Sequence, residues 1–365
     1  MIVSHTDLEI WIEQILTACG VSKTEARATA KVLTTTNLRG VDTHGVARIP
    51  SYVDLLQRGA LNAIPRMTCE QRAGVLHFDG DRGLGQVCGL KAVEYGIDAA
   101  RTQGCVTVVM RHVGHLGALG HFTRIAAEAS MIALMMQNGP PIMALAGAKQ
   151  PAIGNNPMSF AAPRPGGAPL VFDMATSETA FGRIVAAVNA GTELPDGWAL
   201  DREGRRTRNA AAALNGMLLP SGGHKGMGLA MFVEVLAGSL TGNQPGKLGS
   251  GKMMPPEFGG FLLILNPELI AGAEYAPHIA DWIGVYLAAS DGMRLPGARA
   301  DQSEQERTKS GIPIAPGLLA DLSRVADKLG VPRLNSRRFY RRCVKARPHD
   351  PGAALLPSEE TRIMA

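Results

Sequence analysis

A histidine and an arginine stand four residues apart near the N-terminus, at His44 and Arg48. On a helix, this spacing puts the imidazole and the guanidinium on one face. An imidazole can donate a proton, and the guanidinium fork fits a carboxylate. Reduction of a 2-keto acid needs both, because the carbonyl oxygen takes up a proton and the neighbouring carboxylate must be held by a cation. Such pairs also occur on surfaces by chance, so the hypothesis depends on further segments.

A second histidine-bearing segment covers residues 111–121, between a predicted strand and a predicted helix. Its glycines follow the pattern Gly-x-x-Gly-x-x-Gly, and small residues at such a turn let backbone amides approach a pyrophosphate. The match to a Rossmann turn is poor, because the spacing differs and the next strand ends in Gln137 and Asn138 where a ribose-binding acid is expected. We therefore predict a fold that is not of the Rossmann type.

The three histidines of this segment, His112, His115 and His121, also raise the question of a metal site. The sequence has no HExxH arrangement and no cysteine or carboxylate at a useful spacing from them. We therefore predict no metal, and interpret His115, which is flanked by glycines, as a residue of the site.

Three further segments follow downstream, at residues 154–157, 173–177 and 220–228, and the first and last of them contain glycine. In the last, a glycine-rich turn with Lys225 precedes a predicted helix, which is the arrangement that binds phosphate at a helix N-terminus. It is not a Walker A motif, because the spacing and the Ser/Thr after the lysine are absent. Each glycine cluster taken alone could equally be a plain turn.

The elements that position these segments begin with helices. Ser22 and Glu25 predict a capping box that opens a helix ending near Asn37. A second helix is predicted to start near Thr43, whose hydroxyl would cap it, and Pro50 would limit or bend it. His44 would then lie in a first helical turn, where the helix dipole disfavours the imidazolium.

Between residues 75 and 138 strands alternate with helices, which indicates a mixed α/β sheet with covered faces. The predicted strands are residues 75–78, 105–111 and 131–137, with helices at 86–103 and 120–129. Residues 226–240 are helical in period, residues 259–266 indicate a buried strand, and residues 242–260 indicate a loop.

Composition excludes several classes of protein. With 365 residues, 45% hydrophobic and 19% charged, the chain is ordinary globular material, and no apolar run suggests a membrane span. Five scattered cysteines and no signal-peptide pattern predict free thiols and a cytoplasmic location. The net charge of +5 resides in the tail from Val331 onward, and the rest of the chain is neutral. Nucleic-acid binding is therefore possible only through this tail, which we expect to be solvated and mobile.

Together, these segments resemble the malate/L-lactate dehydrogenase-like family of NAD(P)-dependent oxidoreductases, from about Leu8 to Val331. The resemblance is carried, in order, by residues 42–48, 50–61, 115–120, 154–157, 173–177, 197–201, 219–228, 296–297 and 311–312. Within the family, residues 78–86 and 180–182 look most like the hydroxycarboxylate dehydrogenase branch. The resemblance implies a mixed-sheet, non-Rossmann fold that binds NAD or NADP, and a homodimer.

The resemblance also implies a division of the chain and a role for individual residues. Residues 1–70 would be the helical N-terminal part of the substrate domain, 71–250 the NAD(P)-binding domain, 251–330 a part that packs back on the N-terminal part, and 331–365 the basic tail. The implied catalytic residues are His115, His44 and Thr43. Arg48 and Asn156 match substrate-binding positions. The implied cofactor contacts are Leu116, Gly117, Gly120, Gly139, Asp173, Met174, Ala175, His224, Lys225 and Gly226.

Departures from the family pattern leave alternatives open. Thr43 stands where serine is usual, Val113 and Gly114 replace a polar pair, and Gly139 lies where a relative has serine. The expected activity interconverts a 2-keto acid and a 2-hydroxy acid; the alternatives are reduction of a cyclic imine acid and dinucleotide binding without turnover. The sequence does not distinguish NAD from NADP as the cofactor. It also does not show whether His44 or His115 is the principal acid.

Overall fold

The computed structural model describes residues 1–242, 258–289 and 294–334. Its strands are, in chain order, β1 (Ile2–Val3), β2 (Thr68–Arg72), β3 (Val75–Gly83), β4 (Cys105–Val113), β5 (Ile132–Gln137), β6 (Met158–Ala162), β7 (Leu170–Met174), β8 (Ala199–Leu200), β9 (Arg206–Thr207), β10 (Met217–Leu218), β11 (Phe258–Leu265) and β12 (Ile312–Pro313). Its α-helices are α1 (His5–Ala18), α2 (Lys23–Leu38), α3 (Ile49–Gln57), α4 (Gly85–Gln103), α5 (Gly120–Glu128), α6 (Phe181–Ala190), α7 (Ala210–Leu214), α8 (His224–Val233), α9 (Pro267–Ala271), α10 (Tyr275–Ala289), α11 (Ala298–Ser310) and α12 (Pro316–Lys328).

A seven-stranded sheet organises the fold, with strand order β2-β3-β4-β11-β5-β6-β7. The β3–β4 pair is parallel and the other pairs are antiparallel, so the predicted mixed α/β sheet is confirmed. Helices α4 and α5 cover one face and bury Phe78, Met110, Phe122 and Leu262. On the other face, α8 continues into a π-helical segment, Glu234–Ser239, that packs on β11.

The first helices match the sequence analysis up to residue 41 and depart from it afterwards. Ser22 accepts a hydrogen bond from the amide of Glu25 (3.3 Å), so α2 begins where the capping pattern predicted. The predicted helix start at Thr43 is wrong, because Asp42–His44 and Val46–Arg48 are separate 3₁₀ turns and α3 begins at Ile49. Gly45, between the two turns, has φ −87° and ψ −140°, which is not helical.

The C-terminal part of the described chain contributes one strand to the large sheet, and its last elements pack on the N-terminal part of the chain. Strand β11 lies between β4 and β5, inside the sheet. Beyond it, β12 pairs with β1, α11 packs on α2 and α12 packs on α3. The division of the chain at residues 70, 250 and 330 stays a prediction.

Two predictions fall largely outside the described residues, namely most of the loop at 242–260 and the basic tail beyond residue 334. Of the helices that the structure does describe, none is both long and apolar enough to cross a bilayer.

Candidate active site

The segment that carries His44 and Arg48 is held by a polar network from two helices. The Asn37 side chain on α2 donates to Asp42 Oδ1 (2.7 Å) and accepts from the amide of Val46 (2.8 Å). Arg307 on α11 contacts both carboxylate oxygens of Asp42, at 2.7 and 3.0 Å. A side chain at Gly45 would collide with the Asn37 amide. The two 3₁₀ turns are therefore fixed from both sides, although no α-helix runs through them.

His115 lies just beyond the end of β4, in the loop that leads into α5. Its Nδ1 is 2.9 Å from the hydroxyl of Tyr52, which lies on α3. Gln86, in the first turn of α4, donates from Nε2 to the Tyr52 hydroxyl (3.1 Å) and to the carbonyls of His115 and Leu116 (3.2 Å each). The imidazole is thus bonded by Tyr52 from α3, and Gln86 from α4 holds both the Tyr52 hydroxyl and the backbone of the loop.

The fold brings the two predicted catalytic histidines together. The rings of His44 and His115 are tilted with centroids 5.7 Å apart, and the ring of Phe258 on β11 lies 6.0 Å from that of His115. The Oγ1 atom of Thr43 is 2.9 Å from Nδ1 of His44, so this hydroxyl bonds the imidazole instead of capping a helix. Thr43, His44 and His115 therefore form one cluster at the junction of the helical layer and the sheet.

Arg48 lies beside this cluster without an anionic partner. Its Nε is buried, and its guanidinium has no hydrogen-bond or ion-pair partner among the described residues. Burial lowers the pKa of His115 well below 6.5, and the charges of Arg48 and His44 lower it further. Burial, followed by the charge of Arg48, lowers the pKa of His44 to about 4. Both imidazoles are therefore neutral at neutral pH, beside a cation that lacks a counter-ion.

The other two histidines of the 111–121 segment, His112 and His121, contact residues outside this cluster. His112 contacts Asp79 (3.1 Å), and His121 packs edge-on against Phe122 with ring centroids 5.5 Å apart. Within the described part of the chain, no cluster of three or more His, Cys, Asp or Glu side chains could hold a metal ion.

The predicted cofactor residues after His115 meet those at the end of β7. Asp173 accepts a hydrogen bond from the amide of Gly120, the first residue of α5, at 2.8 Å. The amide of Leu116 donates to Gln137 (2.9 Å), so a cofactor would find the amides of Leu116 and Gly120 already bonded. Gly117, at φ +87°, adopts a conformation that favours glycine.

Asn156 is completely buried and directs its side chain into the protein. Its Oδ1 accepts from the amide of Gly139 (3.0 Å), and its Nδ2 donates to Ala230 O and to Glu234, both at 2.9 Å. Its φ of +23° is unusual for a residue with a side chain. In this arrangement Asn156 positions Gly139 and α8, and its predicted contact with a substrate stays a prediction.

The last predicted cofactor segment is the start of α8. His224 and Lys225 are exposed in the first helical turn and have no partner among the described residues, which suits the binding of an anion at a helix N-terminus. A cavity of about 440 Å³ adjoins this turn and is lined in part by Gly222 and Gly223. Met174 ends β7 and Ala175 follows it, next to Thr176, whose carbonyl lies beside Gly226.

We expect Gly226→Ala to destabilise the protein and to weaken dinucleotide binding. A Cβ at position 226 would overlap the backbone of Ser221 and lie 2.6 Å from the carbonyl oxygen of Thr176, so the start of α8 must shift. Overpacking of this kind costs about 1 to 3 kcal/mol. The measurements are thermal unfolding and NADH or NADPH binding by fluorescence.

Gly228→Ala is the matched control, two residues further along the same helix. Apart from its chain neighbours and the backbone of its own helix, no atom lies within 4 Å of the added Cβ. The substitution should therefore be neutral or stabilise the helix by up to about 1 kcal/mol. Equal behaviour of the two variants would contradict the assigned packing role of Gly226.

Four residues near His115 were missed by the sequence analysis. Tyr52 could have been found, since it follows Arg48 by four residues and α3 begins between them. Gln86, Gln137 and Phe258 come from distant parts of the chain, and only the sheet topology brings them to the loop after β4.

Comparisons with known proteins agree with the fold. The family model described as malate/L-lactate dehydrogenase matches residues 3–323. A (2R)-3-sulfolactate dehydrogenase (NADP(+)) of Chromohalobacter salexigens is 34% identical over 84% of this chain and 93% of its own. A Δ¹-pyrroline-2-carboxylate reductase of Pseudomonas fluorescens is 34% identical over 85% of this chain and 94% of its own.

The solved structure of the sulfolactate dehydrogenase from Methanocaldococcus jannaschii superimposes with a TM-score of 0.81 and 31% identity, covering 91% of this chain and 98% of that one. The family model and the relatives each span most of the chain, so the resemblance predicted from the sequence is confirmed. The chain belongs to the malate/L-lactate dehydrogenase family of oxidoreductases.

Proposed function

We propose that the protein transfers hydride between a nicotinamide dinucleotide and a 2-keto or 2-hydroxy acid. The observation that carries this proposal is the guanidinium of Arg48, which stands beside His44 and His115 with no anionic partner among the described residues. A cation kept partly buried without a counter-ion is costly unless a ligand supplies the charge. A carboxylate next to a reducible carbonyl fits, because Arg48 lies close enough to both imidazoles for its charge to lower their pKa values.

Each residue has a distinct part in this proposal. Arg48 binds the substrate carboxylate through two parallel hydrogen bonds. The bound cofactor supplies the hydride that C2 of the keto acid accepts. His115 or His44 donates the proton that converts the carbonyl oxygen to a hydroxyl. Thr43 orients His44 through the 2.9 Å contact described above.

The dinucleotide would be held by residues of the segments that follow β4, β5 and β7 and by the start of α8. We assign to it Gly117, Gly139, residues 173–175, and His224 with Lys225. The free, exposed Lys225 at the start of α8 supports a phosphate contact there. The C. salexigens relative is named as NADP(+)-dependent, and both NAD and NADP remain candidates for this chain.

The test is reduction of a panel of 2-keto acids with NADH and with NADPH, followed by cofactor absorbance. Turnover that disappears in His115→Ala would support the proposal. The cofactor that supports the faster turnover would be the one that the protein uses. Binding of NADH or NADPH without turnover of any acid would overturn it in favour of a dinucleotide-binding protein without activity.

Reduction of a cyclic imine acid is the second candidate, since a pyrroline carboxylate also presents a carboxylate beside a reducible carbon. The Pseudomonas fluorescens relative, a Δ¹-pyrroline-2-carboxylate reductase, favours including it. Pyrroline and piperideine carboxylates therefore belong in the panel, and a higher kcat/KM for them than for pyruvate, malate-type or sulfonated keto acids would select this alternative.

We also propose that the protein is a cytoplasmic homodimer. Apolar side chains of α8 and α10 are exposed in the single chain, with Trp282 58% and Val285 69% accessible. Exposed apolar patches of this kind mark sites of association. The mass in solution, measured by light scattering, tests the dimer: a monomer at micromolar concentration would contradict it.

A further inference from the structure

The hydroxyl of Tyr52 makes a contact with His115 that the roles above do not use. Tyr52 lies on α3, is only 3% exposed and packs in the core of the helical layer. Its hydroxyl oxygen is 2.9 Å from His115 Nδ1 and 3.4 Å from the carbonyl oxygen of the same residue. Gln86 donates to this hydroxyl from the opposite side, at 3.1 Å. A buried tyrosine with these partners is fixed in position and in orientation.

This contact distinguishes the two nitrogens of the His115 imidazole. Nδ1 is engaged by Tyr52, and Nε2 has no partner among the described residues. Burial raises the pKa of Tyr52 to about 12, with the Arg48 charge and the Gln86 hydrogen bond acting against this shift. The hydroxyl therefore stays neutral at physiological pH and can both accept and donate a hydrogen bond.

We propose that Tyr52 is a positioning residue that holds the Nδ1–H of His115, and thereby makes Nε2 of His115 the atom that exchanges the proton with the substrate. This inference rests on the proposed function for the identity of the substrate. The contact between Tyr52 and His115 is independent of that function. In a neutral imidazole, the hydrogen bond made by one ring nitrogen determines which of the two nitrogens carries the proton.

The protons balance in both directions of the reaction. In reduction, the Nδ1–H of the His115 imidazolium stays hydrogen-bonded to the Tyr52 oxygen. Only the Nε2 proton is transferred, to the oxygen that becomes negative as hydride reaches C2. The N–H bond at Nε2 breaks, an O–H bond forms, and His115 is left neutral with its proton on Nδ1. In oxidation, the lone pair of Nε2 takes the hydroxyl proton back.

The hydrogen bonds around Tyr52 accommodate this arrangement. The Tyr52 oxygen accepts from His115 and from Gln86, and its own proton is directed to the carbonyl oxygen of His115. The second N–H of Gln86 then bonds the carbonyl of Leu116. No donor of the network is left unused.

His44 lacks a comparable support. Its Nδ1 is contacted by Thr43, an exposed neighbour in the same 3₁₀ turn, and not by a buried side chain from another element. Among the described residues, the titratable or charged groups that influence His115 are Arg48, His44 and Tyr52. Only Tyr52 bonds the ring directly, so the geometry favours His115 as the proton donor.

The first test is Tyr52→Phe, which removes the hydroxyl and keeps the buried ring. We expect kcat for reduction to fall by about tenfold to a hundredfold with little change in KM, because Arg48 still holds the substrate. Loss of an acceptor for Nδ1–H destabilises the imidazolium and lowers its pKa, so the alkaline limb of the kcat profile should move to lower pH by about one unit. Tyr95→Phe, on α4, is the matched control, since Tyr95 is exposed and contacts no residue of the site.

The second test reads the tautomer of His115 by nitrogen NMR of the full-length protein, with the signal assigned by its loss in His115→Gln. We expect the Nδ1–H form in the wild type and a shift toward Nε2–H in Tyr52→Phe. An Nε2–H form in the wild type, or the same tautomer in both proteins, would overturn the role of Tyr52. This result holds whichever acid is the substrate, so failure of the proposed function and failure of this inference are separated.

Discussion

Arg48→Lys is expected to lower kcat/KM by about 30-fold to several thousand-fold, corresponding to about 2 to 5 kcal/mol of transition-state binding. The substitution keeps the charge and removes the planar fork that binds both carboxylate oxygens. A lysine ammonium offers single hydrogen bonds from a flexible chain, so the substrate carbon would no longer be held against the cofactor and His115.

Burial adds to this effect. The Nε atom of Arg48 is buried, and a lysine placed there would lie beside His44 and His115 without a nearby acid among the described residues. Such surroundings lower the pKa of an ammonium group, whereas a guanidinium stays charged. We therefore expect the kcat/KM of Arg48→Lys to decline further at the pH where its lysine loses the proton.

Arg58→Lys is the matched control for this experiment. Arg58 follows α3 directly, pairs with Asp54 at 2.9 Å, and both side chains are exposed. Its replacement should leave kcat/KM and NADH binding unchanged, because exposed ion pairs contribute little. An unchanged kcat/KM in Arg48→Lys, with normal cofactor binding, would remove Arg48 from the proposed carboxylate site.

The alternation of strands and helices could be predicted from the sequence because local patterns determine it. Helices α4 and α5 and strands β4 and β5 lie within a few residues of their predicted ends. The position of β11 could not be predicted, since its apolar residues are compatible with any buried strand and only tertiary pairing inserts it between β4 and β5.

The sequence predicts that His44, Arg48 and His115 belong to one candidate site, and it does not predict their local geometry. The spacing of His44 and Arg48 indicated an α-helix, yet Gly45 and the hydrogen bond from Val46 to Asn37 divide the segment into two turns. The low pKa of His44 accordingly arises from burial and from Arg48, and not from a helix dipole. Contacts such as the one between Tyr52 and His115 join distant segments, which no local pattern encodes.

We expect the binding of a keto-acid anion to be accompanied by proton uptake. In the free protein, burial and the charge of Arg48 lower the pKa of His115, so its imidazole is neutral at neutral pH. A carboxylate bound to Arg48 cancels the effect of that charge and brings a negative charge of its own, which raises the pKa of His115. The contribution of burial remains, so the uptake should lie between zero and one proton.

The sign of the pH dependence follows from linkage. The pKa of His115 is higher in the complex than in the free protein, so the complex binds more protons at any pH between the two values. Affinity should therefore increase as the pH falls through the pKa of the complex, by at most about tenfold per pH unit, and level off below the pKa of the free protein.

Calorimetry with oxamate, an unreactive analogue of a keto acid, measures this uptake in the presence of NADH and in buffers of different ionisation enthalpy. His115→Gln should abolish the uptake, and His44→Gln, which removes the neighbouring imidazole, should retain it. The opposite pattern would make His44 the principal acid, and the absence of uptake between about pH 6 and 8 would contradict the coupling of Arg48 to either histidine. Because the bound carboxylate itself creates the imidazolium, the acid would be charged only when a substrate is present to receive its proton.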